Sequence, residues 1–230
     1  MNKKTYQTDY TPPNLEEDTA FLANSKSLAF KLVDFWKWNQ SNLIENRTRG
    51  ILAEFIVKMA LDINSPSRLE WDAYDFETQT EKGKVKIEVK SAAYIQAWAQ
   101  KKLSSISFGI APTKELLQDG NYSETYKRQA AIYIFCLLDH KDQATINPLD
   151  MDQWCFYLAP TSLLDKELGP QKSLSLARLK KLGLKAIKYS DLKICFEAVV
   201  GGEVVWESPN SVCYLGVFGG ERFSFWGIFF

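Results

Sequence analysis

From Lys84 to Lys90 the chain alternates without a break, Val85, Ile87 and Val89 against Lys84, Lys86, Glu88 and Lys90. A period of two belongs to a strand with one apolar and one polar face, so the sheet holding it must bury one side and leave charged groups on the other. The segment 69–78 reads as a preceding strand, joined to it by a polar turn containing Lys82 and Gly83. The runs 131–138 and 154–159 are almost wholly apolar, as central strands covered on both faces are. Further strands are expected near 105–110 and 173–176. Helical spacing is expected through Leu28, Leu32, Phe35 and Trp36, over 41–61, over 92–101 behind Ser91 as an N-cap, and over 191–200. Strands and helices interleaved in this way predict an α/β fold, a mixed central sheet flanked by helices.

The helix expected at 41–61 is informative in projection. Ile51, Leu52, Phe55, Ile56, Val57, Met59 and Leu61 take most of its circumference and leave a narrow stripe of Arg47, Glu54 and Lys58. A helix buried on nearly every side must turn that stripe either to solvent, with Glu54 and Lys58 as an i,i+4 ion pair, or into a polar cleft.

Several chemistries are excluded by counting. The chain has one histidine, His140, so zinc sites and nucleases that need several histidines cannot be assembled within it. Four cysteines, 136, 155, 195 and 213, are widely spaced with no C-x-x-C pair and are expected as reduced thiols, most of them buried. Basic and acidic residues balance at 28 each, which counts against a dedicated high-affinity nucleic-acid binder. Their distribution is uneven, however. Lys82, Lys84, Lys86, Lys90, Lys101 and Lys102 cluster around Glu88, and Arg178, Lys180, Lys181, Lys185 and Lys188 form a second basic segment, enough to steer a phosphate backbone locally. Trp36, Trp38, Tyr94 and Trp98 offer stacking surfaces, though at helical spacing such residues are usually core. No apolar run follows Lys3 and Lys4, so a secretory signal is not expected and the cytoplasm is the expected location. The apolar stretch 212–230 is broken by Gly219, Gly220, Glu221 and Arg222 and is expected as strands, not a membrane span.

Hydrolysis of a phosphodiester needs an activated water and neutralisation of charge at phosphorus, which hard divalent cations held by carboxylates supply, with a lysine to assist. Glu88 and Lys90 project side by side. A second carboxylate should come from the strand before, from Asp72 or Asp75, which point to opposite faces. A four-residue loop, 79–82, would pair Ala73 with Glu88 and bring Asp75 to the Glu88 face; a three- or five-residue loop, or a bulge, would bring Asp72 instead.

The run Trp71-Asp72-Ala73-Tyr74-Asp75-Phe76 followed by Ile87-Glu88-Val89-Lys90-Ser91 resembles the D…(D/E)-x-K signature of PD-(D/E)XK, or restriction-endonuclease-like, nucleases. Glu54, in Arg49-Gly50-Ile51-Leu52-Ala53-Glu54, resembles that family's first-helix glutamate, and Gln96 resembles the glutamine some members carry after the lysine. The likeness covers about 47–100 and lacks only the proline that often precedes the aspartate. It implies a restriction-endonuclease-like core in which Asp75 and Glu88 ligate Mg²⁺ or Mn²⁺, with Glu54 and the Val89 carbonyl as further ligands. Lys90 would orient water and stabilise charge, and Gln96 would position phosphate or water. The chain would then divide into an N-terminal helical arm (1–40), a nuclease-like domain (41–200) and a strand-rich extension packed on it (201–230). The implied function is a metal-dependent endonuclease acting on DNA, in restriction, phage defence or repair, working as a homodimer or with a partner protein. The competing reading is a non-catalytic module of the same fold that binds nucleic acid or protein, with Lys86, Glu88 and Lys90 merely a solvated strand face.

Overall fold

The structure, a computed structural model, describes residues 13–68, 73–115 and 121–202. Its centre is a four-stranded sheet in the order β3-β4-β6-β7. The strands are β3 (Phe76–Thr80), β4 (Gly83–Ala93), β6 (Ile132–Leu138) and β7 (Trp154–Pro160). β3 and β4 form an antiparallel hairpin, β4 and β6 run parallel, and β7 returns antiparallel to β6. The chain is therefore mixed α/β, with the expected mixed sheet and flanking helices.

Each face of the sheet has its own core. Val85, Ile87 and Val89 of β4 and Ile134, Cys136 and Leu138 of β6 pack under α2 (Asn46–Ala60) and α5 (Leu192–Gly201). On the other face Tyr133, Phe135, Leu137 and Tyr157 pack under α3 (Thr161–Leu168), α4 (Leu176–Lys181) and the small sheet of β5 (Ser107–Gly109) with β8 (Ser173–Ser175). Every residue of β6 is buried, which explains its unbroken apolar run.

Four expectations need correction. The N-terminal pattern through Leu28 is not one helix: Asn24 and Ser25 adopt positive φ (50° and 62°), the conformation of a tight hairpin turn. Residues before Leu32 accordingly form β1 (Ala20–Ala23) and β2 (Lys26–Lys31), and only α1 (Leu32–Gln40) is helical. The helix expected at 92–101 is also absent, because Ser91, Ala92 and Ala93 stay in β4 and pair with Cys136, Leu137 and Leu138. Past Ala93 the chain enters a loop stapled by Gln100, whose side chain accepts from Gln96 N–H (2.7 Å) and donates to Tyr94 O (3.2 Å). Long-range pairing outweighed local helix propensity here. The aromatics Trp36, Trp38 and Trp98 are exposed and not core, and α2 likewise exposes Phe55 and Met59, so it is less enclosed than its projection predicted. Finally, Cys136 and Cys155 carry free thiols whereas Cys195 is in a disulfide; Cys213, Asp72 and the stretch 212–230 lie outside the described residues. Among the described residues no helix is long and apolar enough to cross a membrane.

One buried charge ties the second core together. Arg128 donates to the carbonyls of Ile110 (2.9 Å), Gly169 (3.0 Å) and Gln171 (3.1 Å) and pairs with Asp165, joining α3 to the loops that flank β5 and β8. Ile110 is buried, and Gly169 and Gln171 meet the guanidinium in a part-buried setting, so removing it strands several acceptors together. Arg128→Ala should therefore lower unfolding free energy by about 3 kcal/mol, read as a fall in the urea midpoint; a loss under about 1 kcal/mol would mean that the network is no stronger than a surface ion pair.

Candidate active site

The hairpin sets the site. Thr80 pairs with Gly83, so the loop is only Glu81 and Lys82, and Gly83 supplies the positive φ (107°) needed there. The expected loop was four residues, and the register differs accordingly: Phe76 lies opposite Ile87 as the last pair of the ladder, and Asp75 follows it, its N–H bonded to the carbonyl of the same Ile87. Because the two loops differ by two residues, a register extended regularly past Phe76 would keep the facing parity of the expected four-residue loop, with Asp75 on the Glu88 side.

Regular pairing ends there. Ala131 N–H donates to Lys86 O (2.8 Å), so the backbone groups of Lys86, Glu88 and Lys90 point toward β6 while those of Ile87 and Val89 point toward β3. Asp75 N–H donates to Ile87 O (3.0 Å), and β3 offers no partner to Val89 N–H beyond that point. The side chain of Asp75 takes the place of the missing strand: its Oδ2 accepts from Val89 N–H at 2.7 Å. The carboxylate thus lies near the sheet plane, where it feels Glu88 on one face and Glu54 of α2, the helix covering the other.

That position raises the Asp75 carboxyl to about 7, through burial first and then through the charge of Glu88, with Glu54 adding to it; the Val89 bond and Lys90 pull the other way. Each neighbouring carboxylate has a cation. Lys90 pairs with Glu88, two residues along the same strand face. Glu54 is held in a two-pronged bond by Arg68, Nε to Oε2 at 2.5 Å and Nη2 to Oε1 at 3.0 Å. The i,i+4 pairing of Glu54 with Lys58 gives way to this contact from the loop after α2.

The structure thus brings Asp75, Glu88, Lys90 and Glu54 together. Gln96 is placed differently: buried in the loop after β4, its amide donates to Ala93 O (2.7 Å) and accepts from Arg49 Nη1 (3.3 Å). Arg49 is itself buried, and its Nε has no hydrogen-bond partner among the described residues. Tyr133, across from Glu88 in the β4–β6 pairing, was missed in the sequence; its phenol is pushed up to about 12 by burial and by Glu88, so it stays protonated at neutral pH. Nothing in an apolar run such as 131–138 marks one tyrosine as facing a carboxylate. Among the described residues no three His, Cys, Asp or Glu side chains lie close enough to hold a metal ion, since Glu88 is turned onto Lys90 and Glu54 onto Arg68. The donor chemistry nevertheless suits a hard cation: carboxylate oxygens only, around an aspartate whose ionised form lacks compensation.

Comparison with known families settles what kind of protein carries this arrangement. The family model of bacteriophage T4 endonuclease IV matches residues 4–178, about three quarters of the chain and every residue of the site. The chain belongs to the bacteriophage T4 endonuclease IV family. No curated protein and no solved structure matches it. As a member of an endonuclease family it is a nuclease, and its substrate is nucleic acid. In this family member the raised Asp75 carboxyl has a consequence with a definite sign. Between about 4 and about 7 the folded state holds a proton that the unfolded aspartate, near 3.8, has lost, so stability without metal falls as pH rises through that window. Asp75→Asn keeps an acceptor for Val89 and removes the charge. In EDTA it should match the wild type near pH 4 and exceed it by on the order of 3 kcal/mol at pH 8, measured by urea unfolding at both values; parallel pH profiles for the two proteins would refute the assignment.

Proposed function

We propose that this chain is a metal-dependent endonuclease of the PD-(D/E)XK type that hydrolyses DNA, with Asp75 and Glu88 as the principal ligands of Mg²⁺ or Mn²⁺ and Lys90 as the lysine of the signature. The observation that carries the reading is the Asp75 carboxylate held on Val89 N–H, where it feels the charge of Glu88, with Lys90 paired to Glu88 on the same strand face, in a chain of an endonuclease family. Strand order supports it as well. The E-x-K strand lies between the aspartate hairpin partner and a parallel neighbour, so the polar side chains of β4 emerge beside a rigid, fully paired core.

A hard divalent cation would neutralise charge on the phosphoryl oxygens and ease ionisation of the attacking water. The residues themselves do the rest. Val89 turns its carbonyl, with its N–H, toward the β3 side where Asp75 sits, so that oxygen and the carboxylate can face one cation. Lys90, once released from Glu88, holds the attacking water by a hydrogen bond and meets the negative charge that grows on the phosphoryl oxygens as the water oxygen bonds to phosphorus and the sugar oxygen leaves. Glu54 completes the acidic set from α2. Gln96, tied to Arg49 and Ala93, positions the start of α2 against the end of β4. Exposed Trp98, with Lys101 and Lys102 on the same loop, offers a stacking plane and two cations to the nucleic acid chain. Restriction, phage defence and repair all require such a cut. Membership of an endonuclease family favours catalysis over the non-catalytic binding module.

Two measurements test this reading. Calorimetric titration of Mn²⁺ should give one saturable event in the wild type and at least tenfold weaker binding in Asp75→Asn; unchanged affinity would remove Asp75 from the ligand set. Lys90→Ala should cut plasmid DNA on the order of 100-fold more slowly while its melting temperature stays within a few degrees of wild type. A variant that nicks plasmid at the wild-type rate would exclude the lysine from the mechanism.

A further inference from the structure

The loop between α2 and β3 contributes a residue that the D…E-x-K signature does not contain. Arg68 grips Glu54 with both prongs of its guanidinium, and the two side chains differ in exposure: that of Glu54 is 13% exposed, that of Arg68 37%. The acid is held in the site by its helix, whereas the cation reaches it from the solvent side on a loop. Glu54 is also one of the two carboxylates whose charge is felt at Asp75.

We propose that Arg68 stands in for the metal at Glu54 and, when a divalent cation enters, leaves Glu54 for a phosphate of the bound nucleic acid. The inference rests on the metal-dependent reading of the site. Its basis is charge. Among the described residues, and above about pH 7 where Asp75 is ionised, Glu54, Asp75 and Glu88 face Lys90 and Arg68 and leave one excess negative charge. A divalent ion converts this to one excess positive charge, and a single phosphodiester brings it to neutrality. Among these groups a cation is left over only after the metal arrives, and a divalent ion drawing on the Glu54 oxygens weakens their hold on the guanidinium. A guanidinium suits both stations, because its planar fork fits a carboxylate and a phosphate equally. The exchange would couple the two binding events: metal frees Arg68 for the nucleic acid, and phosphate holding Arg68 away from Glu54 favours metal.

The experiment compares wild type, Arg68→Ala and Arg68→Lys. In Mn²⁺ calorimetry, loss of the competing cation should tighten metal binding about tenfold in Arg68→Ala, with Arg68→Lys, which keeps the charge and loses the fork, falling between. In EDTA, Arg68→Ala should melt below wild type and gain more from added Mn²⁺. Equal Mn²⁺ affinity in all three proteins overturns the exchange and leaves the metal site standing; no Mn²⁺ binding in any of them overturns the metal reading itself. The second arm uses a Lys90→Ala background, expected to cut on the order of 100-fold more slowly, and the anisotropy of a labelled synthetic DNA duplex read before cleavage. There Arg68→Ala should weaken binding about tenfold with Mn²⁺ present, and lower the salt slope by about one, while leaving binding in EDTA unchanged. An equal loss with and without Mn²⁺ would mean that Arg68 contacts phosphate permanently, and would sink the proposal.

Discussion

Much of the site depends on one hydrogen bond, Val89 N–H to Asp75 Oδ2. β3 pairs with β4 only as far as Phe76, and a buried amide beyond that point must find another acceptor. The Asp75 carboxylate fills the place of the absent strand residue, which fixes it where burial and two neighbouring acids oppose its ionisation. A structural requirement and an electrostatic cost therefore fall on the same side chain. Lys90 and Arg68 blunt that cost by occupying Glu88 and Glu54, and among the described residues Asp75 itself has no ion-pair partner of its own. An acidic cluster held in this way is a poor resting state and a good receptor for positive charge, as the proposed metal-dependent cut requires.

The parts of this arrangement that could be read from the sequence are those governed by periodicity. Strict alternation placed Glu88 and Lys90 on one face of β4. The apolar runs located β6 and β7 to within a residue, and the parity argument for Asp75 gives the same side for the two-residue loop as for the expected four, because a difference of two residues cancels. Interactions between distant segments were not legible. Ser91-Ala92-Ala93 has the look of a helix start, and nothing local announces that β6 will pair with it. Arg68 comes after a Ser-Pro-Ser turn with no periodic context, so only the folded chain shows it closing on Glu54, 14 positions earlier. For Glu54 the helical projection posed the choice of an ion pair with Lys58 or a cleft, but Arg68 was no part of that choice, since Lys58 lies one turn away along the helix and Arg68 arrives through space.

Exposure proved harder to read than placement. Projection of α2 enclosed it on nearly all sides, yet Phe55 and Met59 reach solvent, and the aromatics of the N-terminal hairpin and α1 do so too. A hydrophobic count says how much apolar surface a chain owns, not how much its own sheet can cover. Here the four-stranded sheet is already sealed on both faces by α2 and α5 on one side and by α3, α4 and β5–β8 on the other. The residues of the N-terminal hairpin have no share in either core.

The two-residue turn at Glu81 and Lys82 makes the site a counter of chain length. Each residue added to or removed from that turn slides β3 along β4 by one step and rotates Asp75 from one side of the sheet to the other. Changes by two restore its side while moving it along the strand; changes by one reverse it. Length variation at this surface turn, which would ordinarily be the most freely tolerated kind, is thereby made as consequential for the proposed site as replacing the aspartate itself.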